Sequence, residues 1–145
     1  MLVYDKIQRS YYSKANFASF FGFGYSTIVV ENSEVKYSSD AKSTSIWIMN
    51  IDGSEQVQLT DAKKGFALNP RWSPDGNRLV FQSSKKNKKD ADLYVIDVDG
   101  NNLTQLTINK SYDGQPYWTT DGYIYFVSDR GNNVGNYQIW RFKYE

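Results

Sequence analysis

The stretch Pro70-Arg71-Trp72-Ser73-Pro74-Asp75-Gly76 returns as Pro116-Tyr117-Trp118-Thr119-Thr120-Asp121-Gly122. Ahead of it, Ile46-Trp47-Ile48-Met49-Asn50-Ile51-Asp52-Gly53 recurs as Leu93-Tyr94-Val95-Ile96-Asp97-Val98-Asp99-Gly100, and Gln58-Leu59-Thr60 recurs as Gln105-Leu106-Thr107. The offset is 47 residues for the Gly53 and Leu59 pairs and 46 for the Pro, Trp and Asp-Gly pairs. Repeats of roughly 40 to 50 residues built from short alternating strands cannot bury their faces alone and must stack on their neighbours.

Alternation and Gly-bearing turns divide one repeat into four strands, at about 69 to 73, 78 to 84, 92 to 98 and 103 to 107. Asp-Gly supplies the positive φ that a tight hairpin of the right twist demands. Four antiparallel strands per repeat make a propeller blade. The following repeat offers 115 to 119, 123 to 128 and 137 to 143, without a fourth strand before Glu145. Going backwards, 25 to 31, 34 to 39, 45 to 51 and 57 to 60 form an earlier blade that lacks the Pro-x-Trp motif. The fold class is therefore all-β, with about three blades in a single domain over 1–145. Residues 1–24 form an N-terminal strand and aromatic segment, 25–60 the first blade, 69–107 the second, and 115–143 the third. Leu2 to Gln8 reads as one extended strand that could complete the third blade.

Composition narrows the chemistry. Aromatics are 17% of the chain, led by 12 Tyr and 8 Phe, which suits half-buried pleated surfaces. Cysteine and histidine are both absent, which excludes disulfides, thiolate or imidazole metal ligation, and a Ser-His-Asp or Cys-His triad within this chain. The net charge of +1 and pI of 7.8 lack the basic excess expected of a nucleic-acid binder. No apolar run approaches the roughly 18 to 20 residues of a membrane span. Met1 to Arg9 carries no signal-peptide core, so either the protein is cytoplasmic or a leader is missing from this sequence. Tyr11 to Tyr25 holds seven aromatics and reads either as a strand or plug on the first blade or as an apolar patch awaiting a partner.

Taken together, Pro-x-Trp-Ser-Pro-Asp-Gly, the Leu/Ile-Tyr/Trp-x-Ile/Met-Asx strand, Asp-Gly and Gln-Leu-Thr resemble the TolB-type β-propeller repeat. The resemblance covers about 46 to 145 well and 25 to 45 loosely, and Thr119-Thr120 departs from Ser-Pro. It implies a bacterial, commonly six-bladed, extracytoplasmic or periplasmic propeller that holds a protein or peptide partner. Similar repeats also form the accessory propeller of some serine peptidases, and related propellers act as polysaccharide lyases. A non-enzymatic binding module without a cofactor is the leading expectation. An accessory propeller of a peptidase or carbohydrate-active enzyme is the alternative. Because rings close with 4 to 8 blades, three blades imply a fragment, a homodimer completing six, or an open arc. The run Tyr137 to Phe142 followed by Lys143-Tyr144-Glu145 reads as a terminus, which leaves missing sequence on the N-terminal side or a two-fold dimer as the expectation.

The conspicuous residues read mostly as scaffold. Trp72 and Trp118, and separately Trp47, Tyr94 and Trp140, occupy repeated positions and are expected to pack between blades. Asp97-Val98-Asp99-Gly100-Asn101-Asn102 resembles a calcium loop, but residue 108 is Ile where that loop needs Glu, so a hairpin turn explains it. Asp75 and Asp121 read as turn formers. Sorting charges by blade end places Glu31, Glu34, Asp52, Glu55, Asp75, Asp99 and Asp121 at one end. The other receives Lys42, Lys63, Lys64, Lys85, Lys86, Lys88, Lys89, Lys110 and Arg130 against Asp40, Asp61, Asp90, Asp113 and Asp129. Of these basic residues, Lys63, Lys64, Lys85, Lys86, Lys88, Lys89, Lys110 and Arg130 are the candidate partner-binding set. They would steer an anionic peptide or polysaccharide to that end of the disc, unless they serve only solubility.

Overall fold

The computed structural model describes residues 17–18, 27–33, 44–50, 54–61, 65–85, 90–131 and 135–144, and everything structural below concerns those residues. They form three antiparallel sheets. The first contains β1 (Phe17–Ala18), β2 (Thr27–Ser33), β3 (Thr44–Asn50) and β4 (Val57–Gln58) in sequential order. The second contains β5 (Gly65–Trp72), β6 (Arg78–Lys85), β7 (Asp92–Asp97) and β8 (Thr104–Gln105), also in order. In the third, β9 (Asp113–Trp118), β10 (Tyr123–Ser128) and β11 (Gln138–Lys143) stand side by side. The all-β, three-blade reading of the repeats is thus the observed architecture.

One strand assignment is corrected. The segment expected over 25–31 as a first strand lies at 27–33 and pairs directly with β3, from Thr27 opposite Asn50 to Ser33 opposite Thr44. It is the second strand of its blade, and the first is β1, inside the aromatic segment, with Phe17 opposite Val30. The strand expected over 34–39 falls in the connection between β2 and β3, outside the described residues, as does the extended segment Leu2 to Gln8.

The inner strands of the second and third blades begin earlier than expected, at Gly65 and Asp113. Each runs through its proline by means of a bulge. Between the pairs Leu68–Gln82 and Arg71–Val80, two residues, Asn69 and Pro70, oppose the single Phe81. Between Gly114–Val127 and Tyr117–Tyr125, Gln115 and Pro116 oppose Phe126. Proline has no N–H for a ladder, so an extra residue at that point preserves pairing on both sides. Asn69 and Gln115 take up the bend in the left-handed region, with φ of 53° and 52°.

The other repeated motifs have equally local causes. After the inner strand, the Ser73 amide donates to Arg78 O at 2.8 Å and the Ser73 hydroxyl contacts Asp75 Oδ1 at 2.5 Å. Thr119 makes the corresponding pair of interactions with Tyr123 O and Asp121, in a turn one residue shorter. Gly76 and Gly122 supply φ of 72° and 84° at these turns. Asp99 accepts from the Asn101 amide at 2.9 Å, and Asp97 accepts from Asn102 Nδ2 at 2.7 Å, which accounts for the acidic run as a hairpin.

Packing between blades follows strict alternation. Ile46, Leu59, Ala67, Leu79, Phe81 and Ile96 form one buried cluster at the first junction, with Ile48, Trp72 and Tyr94 packed against it. Val80, Leu93, Val95, Trp118, Ile124 and Phe126 form the second. Side chains of one strand therefore serve two cores, Leu79 and Phe81 facing one neighbour while Val80 faces the other. Trp72 and Trp118 are interblade packing residues, as their repetition implied. Trp118 meets Tyr144 edge-on at 5.0 Å, with the Arg78 guanidinium 5.4 Å from its ring centroid.

Candidate interaction face

The connection from β6 to β7, the link from β8 to β9 and the end of β10 meet at one end of the second and third blades. Polar groups there tie the blades together. The Asp113 amide, at the start of β9, donates to Ala91 O at 2.7 Å. The Asp113 carboxylate is fully buried, and its Oδ2 accepts from Arg130 Nη2 at 2.5 Å and from Asn109 Nδ2 at 2.7 Å. Asp129 accepts from the Tyr112 amide at 2.8 Å and the Gly135 amide at 3.3 Å. Deeper in the junction, Gln82 Oε1 accepts from Asn69 Nδ2 at 2.9 Å and from the Gln115 amide at 2.7 Å, while its Nε2 donates to Tyr112 Oη at 3.1 Å. This one side chain bridges both inner-strand bulges. Gly114 makes room for it, since a Cβ there would stand 2.6 Å from Gln82 Oε1.

Arg130 is committed to this framework. Besides Asp113, its guanidinium covers the Phe126 ring at 4.9 Å and the Trp140 ring at 5.4 Å. Of the candidate partner-binding residues, Lys110 is exposed and Arg130 is paired. Lys63, Lys64, Lys86, Lys88 and Lys89, and the Lys85 side chain, lie outside the described residues.

The sorting of charges changes with the topology. Because β2 is a second strand, Glu31 near its end belongs to the end where second strands lead into third ones, not the opposite one, while Glu34 lies outside the described residues. Asp92, which accepts from Gln105 Nε2 at 3.0 Å, belongs there too. Among the described residues this end then carries Glu31, Asp61, Asp90, Asp92, Asp113 and Asp129 beside Lys110 and Arg130, which is not a basic excess. The opposite end is less purely acidic than the turns alone suggested. Arg78 sits beside the first-to-second strand turn, and Arg141, stacked 4.6 Å from the Tyr123 centroid, helps hold the Asp121 carboxyl below its ordinary range after the larger effect of the Thr119 hydroxyl.

The Asp92 carboxyl is held above its ordinary value of 3.8, first by burial and further by the nearby Asp113 charge. The folded state therefore binds its proton more tightly than the unfolded chain does. The stability it contributes is present at low pH and is lost as pH rises above 3.8 through the folded value. Asp92→Asn removes that penalty while keeping an acceptor oxygen. It is expected to melt at the same or a higher temperature than the parent at pH 7, measured by circular dichroism. A lower melting temperature at pH 7 would contradict this sign.

A cleft of about 420 Å³ opens at the first interblade junction, lined by Phe66, Phe81, Ser83, Tyr94 and Leu103 among others. Among the described residues no group of three or more carboxylates could hold a metal ion, and no helix is long and apolar enough to cross a membrane.

Comparison with known proteins matches this architecture. A family profile described as the TolB beta propeller domain matches residues 29–145. The uncharacterized peptidase YuxL of Bacillus subtilis is 32% identical over 90 residues, covering 62% of this chain and 13% of YuxL. The structure assigned to a TolB of Agrobacterium tumefaciens superposes with a TM-score of 0.65 at 20% identity, over 81% of this chain and 42% of that one. The β-propeller domain of the trilobed protease from Pyrococcus furiosus superposes with a TM-score of 0.60 at 18% identity, over 89% and 39%. The chain thus spans a small part of YuxL and about two fifths of each propeller. With its motifs, blade topology and matched profile in agreement, the chain belongs to the TolB beta propeller domain family.

Proposed function

We propose that this propeller module is non-catalytic and holds a protein or peptide partner, in an extracytoplasmic compartment, at the end where the β6–β7 connection and the β8–β9 link meet. The observation that carries the reading is where the repeated polar groups are spent. Ser73, Asp75, Asp97, Asp99, Thr119 and Asp121 all bond within their own turns, so the repeat builds scaffold and leaves variation to the connections. At the proposed end Lys110 is exposed, and the end of β6 and the connection after it carry Lys85, Lys86, Lys88 and Lys89 in sequence. Such a cluster draws an anionic peptide by local steering and loses strength as salt rises. Replacing the four lysines with serine is expected to weaken binding of a hexaglutamate peptide about tenfold and to flatten its salt dependence, measured calorimetrically at two ionic strengths. Unchanged affinity would contradict the assignment.

The likeness to YuxL and to the trilobed protease propeller supports a second reading, an accessory propeller of a peptidase whose catalytic part lies outside this sequence. Under either reading the purified chain releases no product from a dipeptidyl chromogenic substrate. A change in cleavage pattern when the chain is joined to a peptidase domain would favour the second.

A further inference from the structure

The two interblade junctions are built alike but filled differently. Strand registers match them residue by residue. Ala67 stands opposite Ser83 where Asp113 stands opposite Ser128, Phe81 opposite Tyr94 where Phe126 stands opposite Trp140, and Leu79 opposite Ile96 where Ile124 stands opposite Phe142. At the second junction a cation covers this patch. The Arg130 guanidinium lies 4.9 Å from the Phe126 centroid and 5.4 Å from that of Trp140. It donates from Nε to Ser128 Oγ at 3.1 Å and pairs through Nη2 with Asp113 Oδ2 at 2.5 Å.

At the first junction the same positions, Ala67, Phe81, Ser83, Tyr94 and Ile96, line the cleft of about 420 Å³. The Phe81 and Tyr94 rings lie nearly parallel, 23° apart, with centroids separated by 5.9 Å, and Ser83 keeps the hydroxyl of Ser128. Alanine has replaced the buried carboxylate, but Asp61, directly after Thr60, lines the same cleft where the next repeat has Ile108 after Thr107. The main chain differs as well. Beyond Ser128 it turns back, the Arg130 amide donating to Ser128 Oγ at 3.1 Å, and this carries the guanidinium over the rings. Beyond Ser83 the strand runs straight on, with Ser84 opposite Phe66 and Lys85 opposite Gly65. The seat that the chain itself fills at the second junction therefore keeps its rings, its hydroxyl and a carboxylate at the first, without the turn that delivers the cation.

We propose that the first-junction cleft is a binding site for an arginine side chain presented by a peptide segment of a partner. The guanidinium stacks over Phe81 and Tyr94, and its N–H edge donates to the Ser83 hydroxyl and the Asp61 carboxylate. A flat, weakly hydrated cation suits a mostly apolar cleft with a few acceptors at its edge, whereas a lysine ammonium gives up more hydration to enter it. The site takes a ligand of opposite charge to the one drawn by the lysines and does not depend on them.

The probe is the tripeptide Gly-Arg-Gly with both termini blocked, titrated into the isotope-labelled full chain and followed by amide chemical shifts. Saturable shifts centred on Ala67, Ser83 and Tyr94 are expected. The same peptide with citrulline, which keeps the shape and loses the charge, should bind about tenfold more weakly, and the lysine peptide about fivefold more weakly. Asp61→Asn, at an exposed position, should weaken binding of the arginine peptide about fivefold. Ala67→Asp gives the cleft the carboxylate that Arg130 uses and should strengthen binding about tenfold, a gain that an unfolded variant cannot produce. Three results would overturn the proposal. They are the absence of saturation at millimolar peptide, equal binding of the arginine and citrulline peptides, and binding that appears only in Lys85→Ala, which would assign the cleft to this chain's own lysine.

Discussion

Replacing Phe126 with alanine should destabilise the chain by about 3–5 kcal/mol, the usual cost of deleting a buried aromatic ring and leaving its cavity. Phe126 is 3% exposed and lies in the cluster shared by the second and third blades. Its ring meets Phe142 edge-on at 5.8 Å and carries the Arg130 guanidinium at 4.9 Å. Losing the ring therefore also loosens the cover over the buried Asp113 pair. Tyr125, its neighbour on the same strand, points to the other side and provides the control. Tyr125→Ala is expected to cost about 1 kcal/mol or less, since its side chain is half-buried and its partner there is the exposed Arg141. Urea unfolding of both variants checks the pair, and equal losses would mean that the alternation assigned to β10 is wrong.

Gln82→Leu is expected to destabilise the chain despite similar volume, by less than the loss of the Phe126 ring. Gln82 is 5% exposed, and its oxygen serves both bulges, through Asn69 Nδ2 and the Gln115 amide. Leucine fills the space but takes an acceptor from the half-buried Asn69 side chain and from the amide of the exposed Gln115, at about 0.5–1.5 kcal/mol for each. The Gln115 amide has no easy escape, because its residue is already held at a φ of 52°. A glutamate at this position keeps the acceptor but loses the donation to Tyr112 Oη and adds a buried charge, so it should not restore the parent's stability. Thermal denaturation of Gln82→Leu should show a loss of several degrees, and a melting temperature equal to the parent's would remove Gln82 from its bridging role.

Much of this architecture is legible in the chain itself, because each repeated motif reports a local necessity. Gln-Leu-Thr marks a fourth strand through two hydrogen bonds and a buried leucine, and Ser/Thr-x-Asp-Gly marks a turn through a hydroxyl, a carboxylate and a positive φ. In the second and third blades the second and third strands, where alternation is unbroken, are legible to within about two residues. The inner strands were cut short because Pro70 and Pro116 look like strand ends, whereas a bulge carries the ladder past them. In the first blade the third and fourth strands are legible, but the segment read as its first strand is the second, because its inner strand lacks the proline signal, and Glu31 therefore falls at the other end.

The polar framework at the candidate face was harder to read. Asp113 and Arg130 are 17 residues apart and come together only when two strands and a turn are in place. Sequence alone counted Arg130 as an available charge; its buried partner shows that it is a structural one. Gln82 had a faint signal, a polar residue at a strand position where the third blade has Val127. Nothing local in the sequence marks it as the side chain on which two bulges converge.

Nuclear Overhauser contacts between methyl groups of the second blade and aromatic rings of the third provide the most direct check that the repeats stack as blades. Contacts linking Val80, Leu93 and Val95 to Trp118 and Phe126 are expected, with Tyr125 and Ile139 absent from that network. Contacts from Leu93 confined to its own repeat, or reaching Ile139 in place of Phe126, would contradict the stacked-blade account.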